Sequence, residues 1–259
     1  MESQNEIKQS VRRQFGASAA DYAHSAVHVR GPDLDAMLAA AALRGDEDVL
    51  DIGCGAGHTA LAFATRCGRV EALDLTEPML VQARRLARER GIENVSFRLG
   101  DAEAMPYPNA SFDRVTARQC THHFPDPGRA LDEIARVLRT GGVFLLVDSI
   151  APETPILDTF LNTIERLRDP SHVRDHSISQ WLSMLEARGL EAIHRETWWL
   201  LLDFEDWVQR MRTRKSAVAE IRQLFATAPD PVRAGLRIAP DGSHWSIPAA
   251  LIEAKAAPI

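Results

Sequence analysis

The chain has 259 residues, with 30 lysines and arginines against 36 aspartates and glutamates, a formal charge of −6 near neutrality. That balance lacks the broad positive field that sequence-independent nucleic-acid binding needs, and no apolar run or apolar N-terminus predicts a membrane segment, so a cytoplasmic protein with a small-molecule ligand is expected. Its three cysteines, Cys54, Cys67 and Cys120, are odd in number and lack CxxC spacing, which predicts buried free thiols in place of a disulfide framework or a zinc site.

Residues 1–42 are helical in pattern and precede the first strand. From Val49 onward, short runs rich in Val, Ile, Leu and Phe alternate with stretches of helical period, the pattern of βα units feeding a parallel sheet. Strands are expected over 49–52, 69–73, 95–99, 112–117, 142–148 and 190–201, with a last one near 247–254. Helices are expected over 59–66, over 78–90 with Pro78 in the first turn and Gly91 beyond the end, and over 127–138. Two more, 156–168 and 179–188, flank the polar stretch "DPSHVRDH". The whole of 1–259 reads as one domain, with an N-terminal helical lid (1–42), a core (43–150) and helical insertions at 151–189 and 203–236 on the substrate side. Nothing fixes an oligomeric state, and a homodimer remains open.

The stretch "VLDIGCGAGHTALAFA" places Gly53, Gly55 and Gly57 between a strand and a helix. Such a turn lets backbone N–H groups and a helix start approach a ligand closely, because no Cβ intervenes. The spacing is GxGxG preceded by Asp51, whereas the dinucleotide fingerprint is GxGxxG, so a nicotinamide-dependent oxidoreductase is disfavoured. A carboxylate beside the turn repels a pyrophosphate and attracts an ammonium or a sulfonium. About twenty residues on, Asp74 ends the second strand, where an acid can accept from two ribose hydroxyls. Asp101, after the third strand, can accept from an exocyclic amine, with small Ala102 beside a planar base.

Together "VLDIGCGAG", "ALDLTEPML", "GDAEAMPYPNASFD" and "RVLRTGGVFLLVD" resemble, in order, the motifs of class I S-adenosylmethionine-dependent methyltransferases. The resemblance is strong over 45–150 and is greatest to the group containing the ubiquinone and menaquinone biosynthesis enzymes. It implies a Rossmann-like, doubly wound α/β fold, with a seven-stranded sheet in the order 3-2-1-4-5-7-6 and the last strand antiparallel. It implies S-adenosylmethionine as cofactor and S-adenosylhomocysteine as product. Carried over by position, Asp51 and the turn Gly53, Cys54, Gly55 and Gly57 cradle the methionine moiety. Asp74 takes the ribose, Asp101 the adenine amine, and Leu75 and Ala102 line the base with Met79 nearby. Arg118 lays its backbone against the amino-acid end, and Phe15, Tyr22 and His28 are candidates for the lid, Tyr22 as a cofactor contact.

Methyl transfer from a sulfonium needs proximity and desolvation more than it needs a metal, and no metal is expected. A group that takes or orients the acceptor's proton is sought in "RQCTHHFPDP", where His122 and His123 follow the fourth strand. In "DPSHVRDHS", His172, Arg174 and His176 are candidates to orient a polar or anionic substrate. Two histidines four apart suit a metal on a helix, but Pro170 argues for a loop. Trp198, Trp199, Trp207 and Trp245 serve either an aromatic pocket or the core. The expected function is methyl transfer to oxygen, nitrogen or carbon of a small molecule by in-line displacement. The alternative is a cyclisation or elimination that uses the same cofactor without transfer.

Overall fold

Val49, Leu50 and Ile52 of β1 (Asp48–Ile52) are fully buried because β2 (Arg69–Asp74) and β4 (Phe112–Arg118) flank this strand, both parallel to it. A parallel strand covered on both faces is dominated by apolar residues, and here only Asp51 interrupts the run Val49, Leu50 and Ile52 that made it visible in the sequence. The computed structural model describes residues 3–24 and 31–257. With β3 (Val95–Leu99), β5 (Leu138–Ser149), β6 (Leu190–Asp203) and β7 (His244–Ala256), the strands form one seven-stranded sheet in the order 3-2-1-4-5-7-6. Only β7 runs antiparallel to its neighbours, as expected.

Side chains alternate between the two faces. Val49, Leu145 and Val147 pack with α2 (Pro32–Ala40), α3 (His58–Ala64) and α4 (Glu77–Glu89). Leu50, Ile52, Phe144 and Leu146 pack with α5 (Pro127–Val137) on the other side. Chain punctuation agrees with the helix ends: Pro78 sits in the first turn of α4, Gly91 follows it at φ +64°, and the Asp126 side chain caps α5 by accepting from the Arg129 N–H. Helix α1 (Gln4–His24) lies ahead of this sandwich and packs against α4. No helix among the described residues is long and apolar enough to cross a membrane.

Three strands are longer than the apolar runs suggest. Strand β5 begins directly at the end of α5, and the β6–β7 ladder continues to Asp203 and His244, beyond the last β5–β7 pair at Ser149 and Ala249. That extension carries a second core. Leu161 and Ile164 of α6 (Pro155–Arg168) pack there with α8 (Phe204–Arg210), α9 (Lys215–Ala226) and α10 (Asp230–Gly235) around Trp207, Phe225 and Trp245. The two helices of the 151–189 stretch therefore part company: α7 (Ile178–Glu186), started by a Ser177/Gln180 capping box, puts Trp181 and Leu185 into the main core.

Candidate functional site

A cleft of about 140 Å³ opens above the carboxyl ends of β1 and β2, where ligands sit in open α/β sheets. Gly53, Cys54, Gly55, Asp51, Asp74, Leu75, Met79, Asp101, Ala102 and Arg118 all border it. The three glycines divide their duties. A Cβ on Gly53 would lie 2.7 Å from Cβ and Sγ of Cys120, and one on Gly57 would lie 2.9 Å from Cβ of Ala83 on α4. Both are required by protein packing, and Gly57 stands behind the residues that border the cleft. Gly55, at φ +52°, has nothing within 4 Å of its would-be Cβ and presents bare backbone to the cleft.

Asp51 is buried, and Oδ1 accepts from Thr116 Oγ1 at 2.7 Å. Its Oδ2 is buried without a hydrogen-bond partner among the described residues. Burial, opposed by the Thr116 hydrogen bond, pushes its carboxyl up to about 7. An orphaned buried carboxylate oxygen beside exposed glycine backbone suits the ammonium end of an amino acid, so the residues present fit the expected cofactor. Asp74 Oδ2 accepts from the Gly55 N–H at 2.7 Å and Oδ1 from the Thr76 N–H at 2.8 Å. This acid shapes the glycine turn from the neighbouring strand while keeping lone pairs free for hydroxyls, and burial raises it to about 6.

At the far end, Asp101 has a neighbour that sequence reasoning missed. Lys8 of α1 reaches down to Asp101 Oδ2 at 2.7 Å and Glu103 Oε2 at 2.6 Å, and Val11 and Phe15 follow on the same helical face. Nothing near Lys8 in the sequence announces a partner more than ninety residues away. Arg118 is buried with Nε 2.6 Å from Asp33 Oδ2. His58 borders the cleft and is buried, so it does not face solvent. The side chain of Tyr22 and all of His28 lie outside the described residues. Cys54, Cys67 and Cys120 are free and buried, and burial raises all three thiols, which makes them poor nucleophiles.

A second cavity of about 270 Å³ adjoins the first, and Phe15, Gln119 and His123 border both. One wall is the alternate-residue face of the β6–β7 extension, Trp198, Leu200 and Leu202 opposite Ile247 and Ala249. The polar side holds His122, His123, His172, Glu165, Arg168 and Asp169. His122 and His123 sit on a 3₁₀ turn after β4, their ring centroids 4.2 Å apart, and His172 stacks on His122 at 5.4 Å. Phe15 meets His123 edge-on at 4.8 Å. His123 Nδ1 lies 3.0 Å from the Ser171 carbonyl oxygen, which can only accept, so Nδ1 carries the hydrogen and Nε2 the lone pair. Burial and the neighbouring His122 charge lower His123, and burial lowers His172 further.

The other two candidates of the loop fall outside. Arg174 is drawn to Asp158 at 2.6 Å, and His176 packs edge-on against Trp181 at 5.2 Å, so neither borders the cleft or the adjoining cavity and the His172/His176 pair does not converge. The tryptophans split: Trp198 and Trp207 line the chamber, Trp245 packs behind Trp207 at 4.8 Å, and Trp199 faces outward beneath the Arg237 guanidinium. Glu165, Arg168 and Asp169 were not among the residues the sequence pointed to.

A family profile described as a methyltransferase domain matches residues 50–146. The chain is 42% identical over 219 residues to the uncharacterized methyltransferase YcgJ of Bacillus subtilis, covering 85% of this chain and 87% of that protein. The crystal structure of YcgJ superposes with a TM-score of 0.85 at 39% identity, over 88% of this chain and 99% of that one. That of a putative methyltransferase from Bacillus halodurans gives 0.84 at 38%, over 88% and 100%. Over 154 residues, 58% of this chain and 56% of the other, it is 36% identical to 27-O-demethylrifamycin SV methyltransferase of Amycolatopsis mediterranei.

Proposed function

The chain belongs to the S-adenosylmethionine-dependent methyltransferases, and from that premise we propose that it methylates an oxygen of a small, largely apolar molecule held in the second cavity. The observation that carries this reading is the shared border: a cofactor cleft and a separate acceptor chamber meet at Phe15, Gln119 and His123. Oxygen as the receiving atom is supported by the relative named for a 27-O-demethylated substrate.

Bound S-adenosylmethionine supplies an electrophilic methyl group. Asp51 and the Gly55 backbone receive the amino-acid end, Asp74 the ribose hydroxyls and Asp101 the adenine amine, the last while already paired with Lys8. Leu75, Met79 and Ala102 provide apolar contact. On the chamber side, Trp198, Leu200 and Ile247 exclude water from the acceptor, which raises the reactivity of a nucleophilic oxygen. His123 Nε2, unprotonated at neutral pH, accepts the acceptor's hydrogen at the junction. His172 supports the His122 ring from behind.

The test is incubation of the purified protein with methyl-labelled S-adenosylmethionine and a fractionated metabolite extract. S-adenosylhomocysteine should appear together with a labelled methyl ether or ester. Acceptor turnover without S-adenosylhomocysteine would rule transfer out, and label fixed on nitrogen or carbon would rule out the oxygen assignment.

A further inference from the structure

Asp169 closes α6: its N–H donates to the Glu165 carbonyl oxygen at 2.8 Å, and its side chain is 4% exposed. Oδ1 is spent locally, accepting from the Ser171 N–H at 2.8 Å and from Ser171 Oγ at 2.7 Å. Oδ2 has no hydrogen-bond partner among the described residues and lies 4.0 Å from His123 Nε2, at the border of the second cavity. That nitrogen carries a lone pair, because the His123 Nδ1 hydrogen goes to the Ser171 carbonyl. Two acceptor atoms therefore converge on the same space. The other acids that border the cavity have partners: Asp33 meets Arg118 at 2.6 Å, Asp148 meets His122 at 2.7 Å and Glu165 meets Arg168 at 2.8 Å. No lysine or arginine among the described residues pairs with Asp169. It also stands at the negative end of the α6 dipole, where a carboxylate is disfavoured and a cation is favoured.

We propose that Asp169 binds a protonated amino group of the methyl acceptor, so that the chamber selects small, mostly apolar amino alcohols. The inference rests on the reading that this chamber holds the acceptor and that oxygen receives the methyl group. A buried carboxylate without a counter-ion is costly, and a ligand cation that donates a hydrogen to Oδ2 removes that cost. An aliphatic amine is positively charged near neutrality, like a lysine side chain. The 4.0 Å between Oδ2 and His123 Nε2 divides the two polar ends of such a molecule: the ammonium goes to Oδ2, and the neighbouring hydroxyl gives its hydrogen to Nε2. Each bond spans about 2.7–2.9 Å, so the two atoms accommodate donors carried on adjacent carbons. A neutral alcohol satisfies Nε2 alone and leaves Oδ2 unpaired, which is the basis of discrimination. The apolar remainder lies against Trp198, Leu200 and Ile247. Asp169 touches the acceptor away from the reacting oxygen, so it acts on binding and not on the transfer step.

The test uses the full chain saturated with S-adenosylhomocysteine and calorimetric titration with three probes of one shape: phenylethanolamine, the glycol in which a hydroxyl replaces the amino group, and the alcohol that lacks it. The wild type should bind phenylethanolamine about tenfold tighter than either neutral probe, or more. In Asp169→Asn, which keeps an oxygen for the Ser171 donors and loses the charge, that preference should shrink to about twofold or less, with the affinity for the alcohol little changed. Asp169→Ser gives the same readout if the first variant fails to fold. Ser171→Ala removes one bond to Oδ1 without touching the charge, and should retain the preference. Phenylethanolamine bound no more tightly than the alcohol by the wild type, or not bound at all, overturns the inference. So does a preference that survives the loss of the Asp169 charge, or one that disappears in Ser171→Ala. With methyl-labelled S-adenosylmethionine and a metabolite extract divided on a cation exchanger, label should enter products of the retained fraction. Label confined to the unretained fraction overturns the inference and leaves the transfer reading standing. If no S-adenosylhomocysteine forms, the transfer reading fails while the titrations still decide whether Asp169 binds an amine.

Discussion

The cofactor half and the acceptor half of this molecule are built on opposite principles. In the first, buried acids at successive strand ends hold the glycine turn in shape through Asp74 and leave Asp51 one unmatched oxygen. In the second, a hairpin that outruns the sheet supplies an apolar wall and its own aromatic core, and Glu165 pairs with Arg168 on the polar side. On the proposed function, the cofactor is met by backbone and fixed charge, whereas the acceptor is met by side chains of the β6–β7 extension.

The sharpest way to break this contrast is Trp245→Ala. Trp245 is fully buried in the second core, and its loss should cost about 3–5 kcal/mol of stability, read by denaturant unfolding, with cofactor affinity below the unfolding transition nearly unchanged. A parallel collapse of cofactor binding would show the halves to be one unit. Asp74→Ala should do the reverse, weakening S-adenosylmethionine by about 1.5–3 kcal/mol in calorimetric titration, because hydroxyl acceptance and the anchor on Gly55 go together.

A smaller effect follows from pH. Asp51, raised to about 7, is mostly protonated at pH 6 and mostly ionised at pH 8, and the charged form is the one that attracts a cation. Cofactor affinity should therefore drop about tenfold between pH 8 and pH 6, and a flat profile would detach Asp51 from the site. The sign for stability is opposite. A carboxyl raised in the folded state contributes stability that is full below its unfolded value and lost as pH rises through about 7. Added cofactor should accordingly raise Tm more at pH 8 than at pH 6.

The two halves also differed in how far the sequence exposed them. Short runs rich in Val, Leu, Ile and Ala named β1, β2 and β4, because central parallel strands bury most of their side chains, and Asp51 and Asp74 stood out toward the ends of the first two. The β6–β7 extension was harder to delimit, since Trp199 and Leu201 face outward and a bulge at Arg195 breaks the alternation. Within the site, the rings of His122, His123 and His172 lie together, whereas Arg174 and His176, two and four residues further on, turn to Asp158 and Trp181. Adjacency in a loop says nothing about direction. Lys8 and Asp148 were hidden for another reason: the first finds its partner across the fold, and the second ends a strand that otherwise reads as pure core.

A last consequence attaches to Phe15. Its ring comes from α1, whose Lys8 and Val11 border the first cleft, and lies at the border of the two compartments. Trimming that ring to a methyl should widen the passage that Gln119 and His123 also border, so a residue outside the sheet helps to set how closely the two compartments communicate.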